Sequence, residues 1–185
     1  MSESPRARIV DAARRRLTQP ASADASLSAI AAEAGISKAL IHYHFKDRDE
    51  LLVAVIDEIG RGLAERERGA IDAERSALAV DALWNWLEDE LRRGEIRAVL
   101  TLIEHPRDIV RDAARRVATD RRAAAADTVA RLFETLGLQP RVPAPLLADV
   151  VVAFVDGLAL DSGDESRSPR VAFDIFWLAM LNLAE

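Results

Sequence analysis

Ser37, Lys38, His42, Tyr43, His44, Lys46 and Arg48 lie within one short stretch and together supply hydroxyl, ammonium, imidazole and guanidinium groups. Two kinds of chemistry use such a set: imidazole ligation or acid–base work, and hydrogen bonding to the phosphates and base edges of a polyanion. Spacing argues against the first. At a two-residue step on a helix, His42 and His44 point about 200° apart and cannot share an ion. Glu104 and His105 are adjacent but have no third group to orient them, and His105 beside Pro106 reads as a helix-end residue. The chain has no cysteine, three histidines, no phosphate-binding glycine loop and no Glu-x-x-His pair. A helical enzyme is the weakest reading, and neither a cofactor nor a metal is expected.

Hydrogen-bond donors of this kind need a scaffold. Apolar residues recur at three- and four-residue steps, without the alternation of strands, so the fold class is all-α. The expected helices begin with one from about Ser4 to Leu17, carrying Ile9, Ala12, Ala13 and Leu17 on one stripe. A second, capped by Ser26 or Ser28, ends at Gly35, and a third runs from Lys38 to about His44 under a Ser37 cap. Asp47 and Glu50 have the spacing of a capping box and open a fourth helix with Leu51, Leu52, Val55, Ile56, Ile59 and Leu63 buried. Its Gly-interrupted, charged tail from Arg61 to Glu74 is the expected boundary between head and body. Further helices are expected over 76–93, 95–105, 107–136, 144–162 and 169–184, about nine in all.

Two short helices around a Gly-containing turn have the spacing of a helix-turn-helix. The charge distribution permits that use. The chain carries a net charge of -6, but residues 1–48 hold eight Lys or Arg against five Asp or Glu, a balance of +3 that leaves -9 for the remainder. Such a head tolerates a polyanion while the body does not. Arg14, Arg15 and Arg16 read mainly as a solvated face. With half the chain apolar and 30% charged, it is expected to fold as a globular protein. Asp149 and Asp156 interrupt its richest apolar run, and the start has no apolar segment ahead of a cleavage site. A cytoplasmic location is the expectation.

The stretch from Leu27 to Leu52, LSAIAAEAGISKALIHYHFKDRDELL, resembles the N-terminal domain of tetracycline-repressor-like (TetR) transcriptional regulators. The resemblance covers about residues 6–60. It implies a helix-turn-helix domain over 1–48, linked by a helix over 47–63 to a ligand-binding and dimerisation domain over 64–185. Ala39, Leu40 and His42 stand where the family often has Gly, Pro or Ser, then Thr, then Tyr, so the operator is not inherited from relatives. Pro20, Ala21 and Ser22 replace a usual Gly-aromatic pair.

On this reading the partners are near-palindromic double-stranded operator DNA, a second copy of the chain and a small, mostly apolar effector that releases a repressor from its operator. DNA contacts are expected from Ser26, Ser28, Ser37, Lys38, Ala39, Leu40, His42, Tyr43, His44, Lys46 and Arg48. Lys38 or His42 would reach purine acceptors, while Ala39 and Leu40 would meet thymine methyls. An effector pocket is expected around Leu63, Leu83, Trp84, Leu87, Leu100, Thr101, Ile103, His105, Val110 and Val117, with Trp86 peripheral. The last two helices are expected to form a four-helix dimer interface through Val151, Phe154, Val155, Leu158, Phe173, Trp177 and Leu181. The alternative is a DNA-binding dimer whose body only dimerises. A cavity of several hundred Å³ in the body would separate the two.

Overall fold

Ser4, Ser26, Ser37 and Ser168 each start a helix by the same device. Each side-chain oxygen accepts from the backbone N–H three residues on, from Ala7 at 3.2 Å, Ala29 at 3.3 Å, Leu40 at 3.2 Å and Val171 at 3.5 Å. The computed structural model describes residues 4–19, 26–72, 79–161 and 168–185. Among them are nine helices: α1 Pro5–Thr18, α2 Leu27–Ala34, α3 Lys38–His44, α4 Arg48–Asp72, α5 Ala79–Arg93, α6 Glu95–Leu102, α7 Asp108–Leu136, α8 Ala144–Leu160 and α9 Pro169–Leu181. Pro20 to Ser22, the expected helix start at Ser76 and the polar run before Ser168 lie outside the described residues.

The chain divides into two compact units, residues 1–61 with 93–118, and residues 62–92 with 119–185. In the first, Ile9, Ala12, Ile30, Ile41, Phe45, Val55, Val99 and Val110 form a core drawn from α1, α2, α3, α4, α6 and α7. In the second, Leu83, Leu87, Val129, Leu132, Phe133, Leu147, Phe173 and Trp177 do the same from α5, α7, α8 and α9. The expected domains are continuous stretches, 1–48 and 64–185, whereas each of these units combines two separate stretches. Residues 93–118 group with the head.

The glycines at 60, 62 and 69 do not interrupt α4, which runs unbroken for 25 residues. An interior glycine costs a helix about 1 kcal/mol, and burial of Val55, Ile56, Ile59 and Leu63 outweighs that propensity. At Gly60 the missing side chain has a positive use, because a Cβ there would stand 2.8 Å from Val117 Cγ2. Outside the helices, one antiparallel bridge among the described residues joins Pro140 to Ala184. Gln139 and Glu185 exchange backbone hydrogen bonds beside it, each at 3.0 Å.

Candidate nucleic-acid interface and cavity

Gly35, at φ 64°, ends α2 in the left-handed conformation and turns the chain into α3. Its N–H donates to Ala32 O at 3.2 Å, and the Ile36 N–H donates to Ala31 O at 3.0 Å. From α1, Arg8 donates to Ala34 O at 2.6 Å and to Gly35 O at 3.3 Å, so the corner is fastened to a third helix. Ile41 and Phe45 are buried on the inner side of α3. With these anchored, Ser37, Lys38, Ala39, His42 and Tyr43 are exposed, and Tyr43 stands 81% accessible.

Leu40 and His44, expected on the outer face, are only partly exposed. The His44 ring meets the Tyr43 ring edge-on, 5.1 Å between centroids. Ser28 is exposed at the first turn of α2, whereas Ser26 is half-buried at its cap. Asp47 accepts from the Glu50 N–H at 2.9 Å, and the Glu50 carboxylate accepts from the Lys46 N–H at 2.7 Å. That carboxylate reaches one residue further back than the expected box.

Lys38, Lys46 and Arg48 have no ion-pair partner among the described residues and are all exposed. The α1 arginines differ. Arg14 bonds Asp11 at 2.6 Å and Glu95 of α6 at 2.8 Å, while Arg15 and Arg16 share Glu33 of α2 at 2.8 and 2.7 Å. The Arg15 hydrogen bond, helped by Arg16, holds the Glu33 carboxyl below its ordinary pKa against the opposing effect of burial. These arginines join helices, and their charge is committed inside the protein. The cations left for a polyanion surround α3.

The second unit contains a cavity with about 50 Å³ of free space. Trp86, Phe154, Phe173, Phe176 and Trp177 form its aromatic wall, with Phe154 and Phe176 stacked at 4.2 Å and 4° between planes. Glu67 is 8% exposed and lines the same space, as do Thr128 and Arg121. Burial pushes the Glu67 carboxyl above its ordinary pKa; the Thr128 hydroxyl, Arg121 and Arg131 pull it back only in part, and Glu90 adds to the rise. Arg121 is committed to Asp156 at 2.9 Å. Trp86 Nε1–H is buried with no hydrogen-bond acceptor among the described residues.

Of the residues expected around a pocket, Leu83 and Leu87 line this cavity. Trp84 does not, because its ring packs on Phe173 at 5.2 Å, and Trp86 takes the place expected of it. Leu63 is buried in the same unit but away from the lining. Leu100, Thr101, Ile103, His105, Val110 and Val117 belong to the first unit, so the structure does not bring them to this cavity. His105 Nδ1 accepts from the Arg107 N–H at 3.3 Å, and its carbonyl accepts from Arg111 at 3.2 Å. It serves the start of α7. The free space also falls short of several hundred Å³, since the stacked aromatic rings fill the interior.

The residues expected at a dimer interface turn inward. Val151, Phe154, Val155, Phe173 and Trp177 line the cavity, while Leu158 and Leu181 are half-buried. The same helices, α8 and α9, present a different apolar face outward. It carries Leu146, Val150 and Leu160 on α8, and Val171, Ile175 and Leu178 on α9, each more than half exposed. Gly157 lies on the outward side, with nothing within 4 Å of where a Cβ would stand. Both helices are apolar nearly all round, so spacing alone marked two stripes and could not assign them.

Residues 9–55 match the sequence profile of bacterial regulatory proteins of the tetR family. The whole chain extends the match. An HTH-type transcriptional regulator BetI from Brucella melitensis is 30% identical over 177 residues, covering 90% of this chain and 84% of that protein. The chain belongs to the tetR family. It is a DNA-binding transcriptional regulator of the helix-turn-helix type. Solved structures carry the same fold across its length. A Rhodococcus transcriptional regulator superposes with a TM-score of 0.76 at 22% identity, covering 98% of both chains. A putative regulator from Saccharomonospora viridis, solved in complex with choline, gives 0.76 at 21% identity over 97% of both. No helix among the described residues is long and apolar enough to cross a membrane.

Proposed function

We propose that the chain is a homodimeric repressor that holds a near-palindromic operator through α3 and releases it when a small molecule enters the second unit. The observation that carries the DNA reading is the cluster of uncommitted cations and donors around α3: Lys38, Lys46, Arg48, Ser37, His42 and Tyr43. Lys46, Arg48 and Tyr43 would fix register on phosphates. Lys38, Ala39 and His42, exposed on one short helix, would meet base edges.

The apolar α8–α9 face supports the dimer, because two copies related by a two-fold axis would cover each other's exposed Val150, Ile175 and Leu178. Choline in the Saccharomonospora structure supports a response to a small molecule. In this chain the lining supports it further: a buried carboxyl and an unpartnered indole N–H beside an aromatic wall are groups that a ligand would satisfy. Operator release follows if the effector prefers a conformation in which DNA binds less well.

Selection from a randomised duplex pool, followed by anisotropy titration, tests this reading. The expected outcome is a two-fold symmetric consensus, with half-sites about one helical turn apart. Failure to enrich any duplex would overturn it.

A further inference from the structure

We propose that Arg6, in the first turn of α1, is a phosphate-binding residue of the DNA interface, held ready by stacking on Phe45. The inference rests on the DNA reading above and adds a further helix to it. Arg6 lies ahead of residues 9–55, which match the family profile, and outside the stretch from Ser26 to Arg48 that supplies the contacts expected from sequence.

Among the arginines of α1, Arg6 stands apart. Arg8 donates to the carbonyls of Ala34 and Gly35, Arg14 bonds Asp11 and Glu95, and Arg15 and Arg16 hold Glu33. Arg6 is exposed, and its side chain has neither an ion pair nor a hydrogen bond among the described residues. The acids that share its groove between α1 and α4 are already matched. Asp11 is held by Arg14 and Arg15, Asp57 by Arg116 at 3.0 Å and Glu58 by Arg61 at 2.8 Å. The Arg6 guanidinium instead lies over the Phe45 ring, 5.1 Å from its carbon to the ring centroid.

That contact sets what the guanidinium can do. Phe45 is 2% exposed, so its ring is a platform fixed in the core of the head. A guanidinium laid on a ring spends one face on the stack and keeps its rim of N–H donors for an oxyanion. A phosphate accepts two such donors side by side. Pinned to Phe45, the group does not follow a groove to the base edges, so its contact is to the backbone and carries no sequence preference.

Position supplies the phosphate. Phe45 ends α3 and directly precedes Lys46, so the ring carries Arg6 to the end of the helix that reads the duplex. The other end of α1 is tied elsewhere: the Thr18 carbonyl accepts from Arg97 of α6 at 3.0 Å, and Arg14 reaches Glu95 of α6. The helix thus spans ~20 Å from α3 to α6, with its unmatched cation at the α3 end.

The test is anisotropy titration of the full-length protein at several salt concentrations, on random-sequence duplex and on duplex enriched by selection. Two heads bring two Arg6 contacts, so Arg6→Ala is expected to flatten the slope of log affinity against log salt by nearly two on both duplexes. Arg6→Gln, whose stem still covers Phe45, should flatten it equally. Arg6→Lys keeps the charge and should keep the parent slope, while affinity falls roughly five-fold because an unstacked ammonium must be ordered on binding.

An unchanged slope in Arg6→Ala and Arg6→Gln would overturn the inference even where affinity drops, since a packing defect weakens binding without changing the number of phosphates neutralised. So would a loss confined to the selected duplex, which would make Arg6 a base reader. In both cases the parent still binds DNA and the reading above stands. A parent protein that binds no duplex at any salt concentration removes both.

Discussion

Gly60 of α4 and Val117 of α7 meet so closely that a methyl group on the glycine would lie 2.8 Å from one valine Cγ and 3.1 Å from the other. Valine is short and branched at Cβ, so it has no flexible end to move aside. Gly69, on the same helix, has nothing within 4 Å of its Cβ position. The two glycines should therefore respond in opposite directions. Gly69→Ala is expected to raise stability by up to about 1 kcal/mol through helix propensity alone. Gly60→Ala is expected to lower it, because overpacking of about 1–3 kcal/mol exceeds the same gain. Denaturant melts measure both, and Val117→Ala should restore the Gly60→Ala protein.

The uncommitted cations set the salt dependence of DNA binding. Lys46 and Arg48 from two heads, on about four phosphates, should contribute a slope near -3.6 to the fall of log affinity with log salt. Lys46→Ala is expected to flatten that slope by nearly two, weakening specific and random duplexes alike. Substituting Arg15 should leave the slope unchanged, since its charge is held by Glu33 and Asp11. Titration at several salt concentrations separates these outcomes, and a flattened slope in the Arg15 variant would contradict the assignment.

If the proposed dimer forms through the outward face of α8 and α9, that face sets the oligomeric state. Val150→Asp with Ile175→Asp is expected to give monomers at micromolar concentration in sedimentation. Phe154→Asp should instead destabilise the fold, because Phe154 faces the unit's own interior. Gly157→Leu sharpens the test. Its side chain meets open space in the protomer, so loss of the dimer without loss of helicity would place Gly157 at the contact.

Glu67 gives a pH signature. Its folded pKa lies above the ordinary value of 4.5, so folding favours the protonated form. That contribution is present below about pH 4.5 and is lost as pH rises through the folded value, where the buried carboxylate becomes a net burden. Glu67→Gln removes the burden. Its melting temperature is expected to exceed the parent's at about pH 7 and to match it near pH 4. A gain that stays constant across that range would show that the effect is not ionisation.

The head was legible because each of its devices is local. A serine followed three residues later by its N–H partner, a glycine at a helix end and an Asp-x-x-Glu spacing all act over one turn, and they place the end of α2 and the starts of α3 and α4. The body was legible as helices but not as faces. Phe154 and Val150 are both apolar on one helix, and only the placement of α9 and α5 decides which looks inward. For the same reason Trp86 lines the cavity while Trp84 is buried against Phe173. The arginines of α1 were legible as charge but not as partners, because Glu33 and Glu95 lie far along the chain. Residues 93–118 gave no local sign of the unit they join.

Arg8 bonds two carbonyls of the corner between α2 and α3. Those carbonyls end a helix and would otherwise be solvated by water, with the corner free to flex. A guanidinium that is part of the first unit's framework fixes them during folding instead. On the proposed reading, α3 would therefore reach the duplex preorganised, with little of its binding energy consumed in ordering it. Such a head can switch between bound and free as a rigid piece, leaving adjustment to parts of the protein remote from the bases.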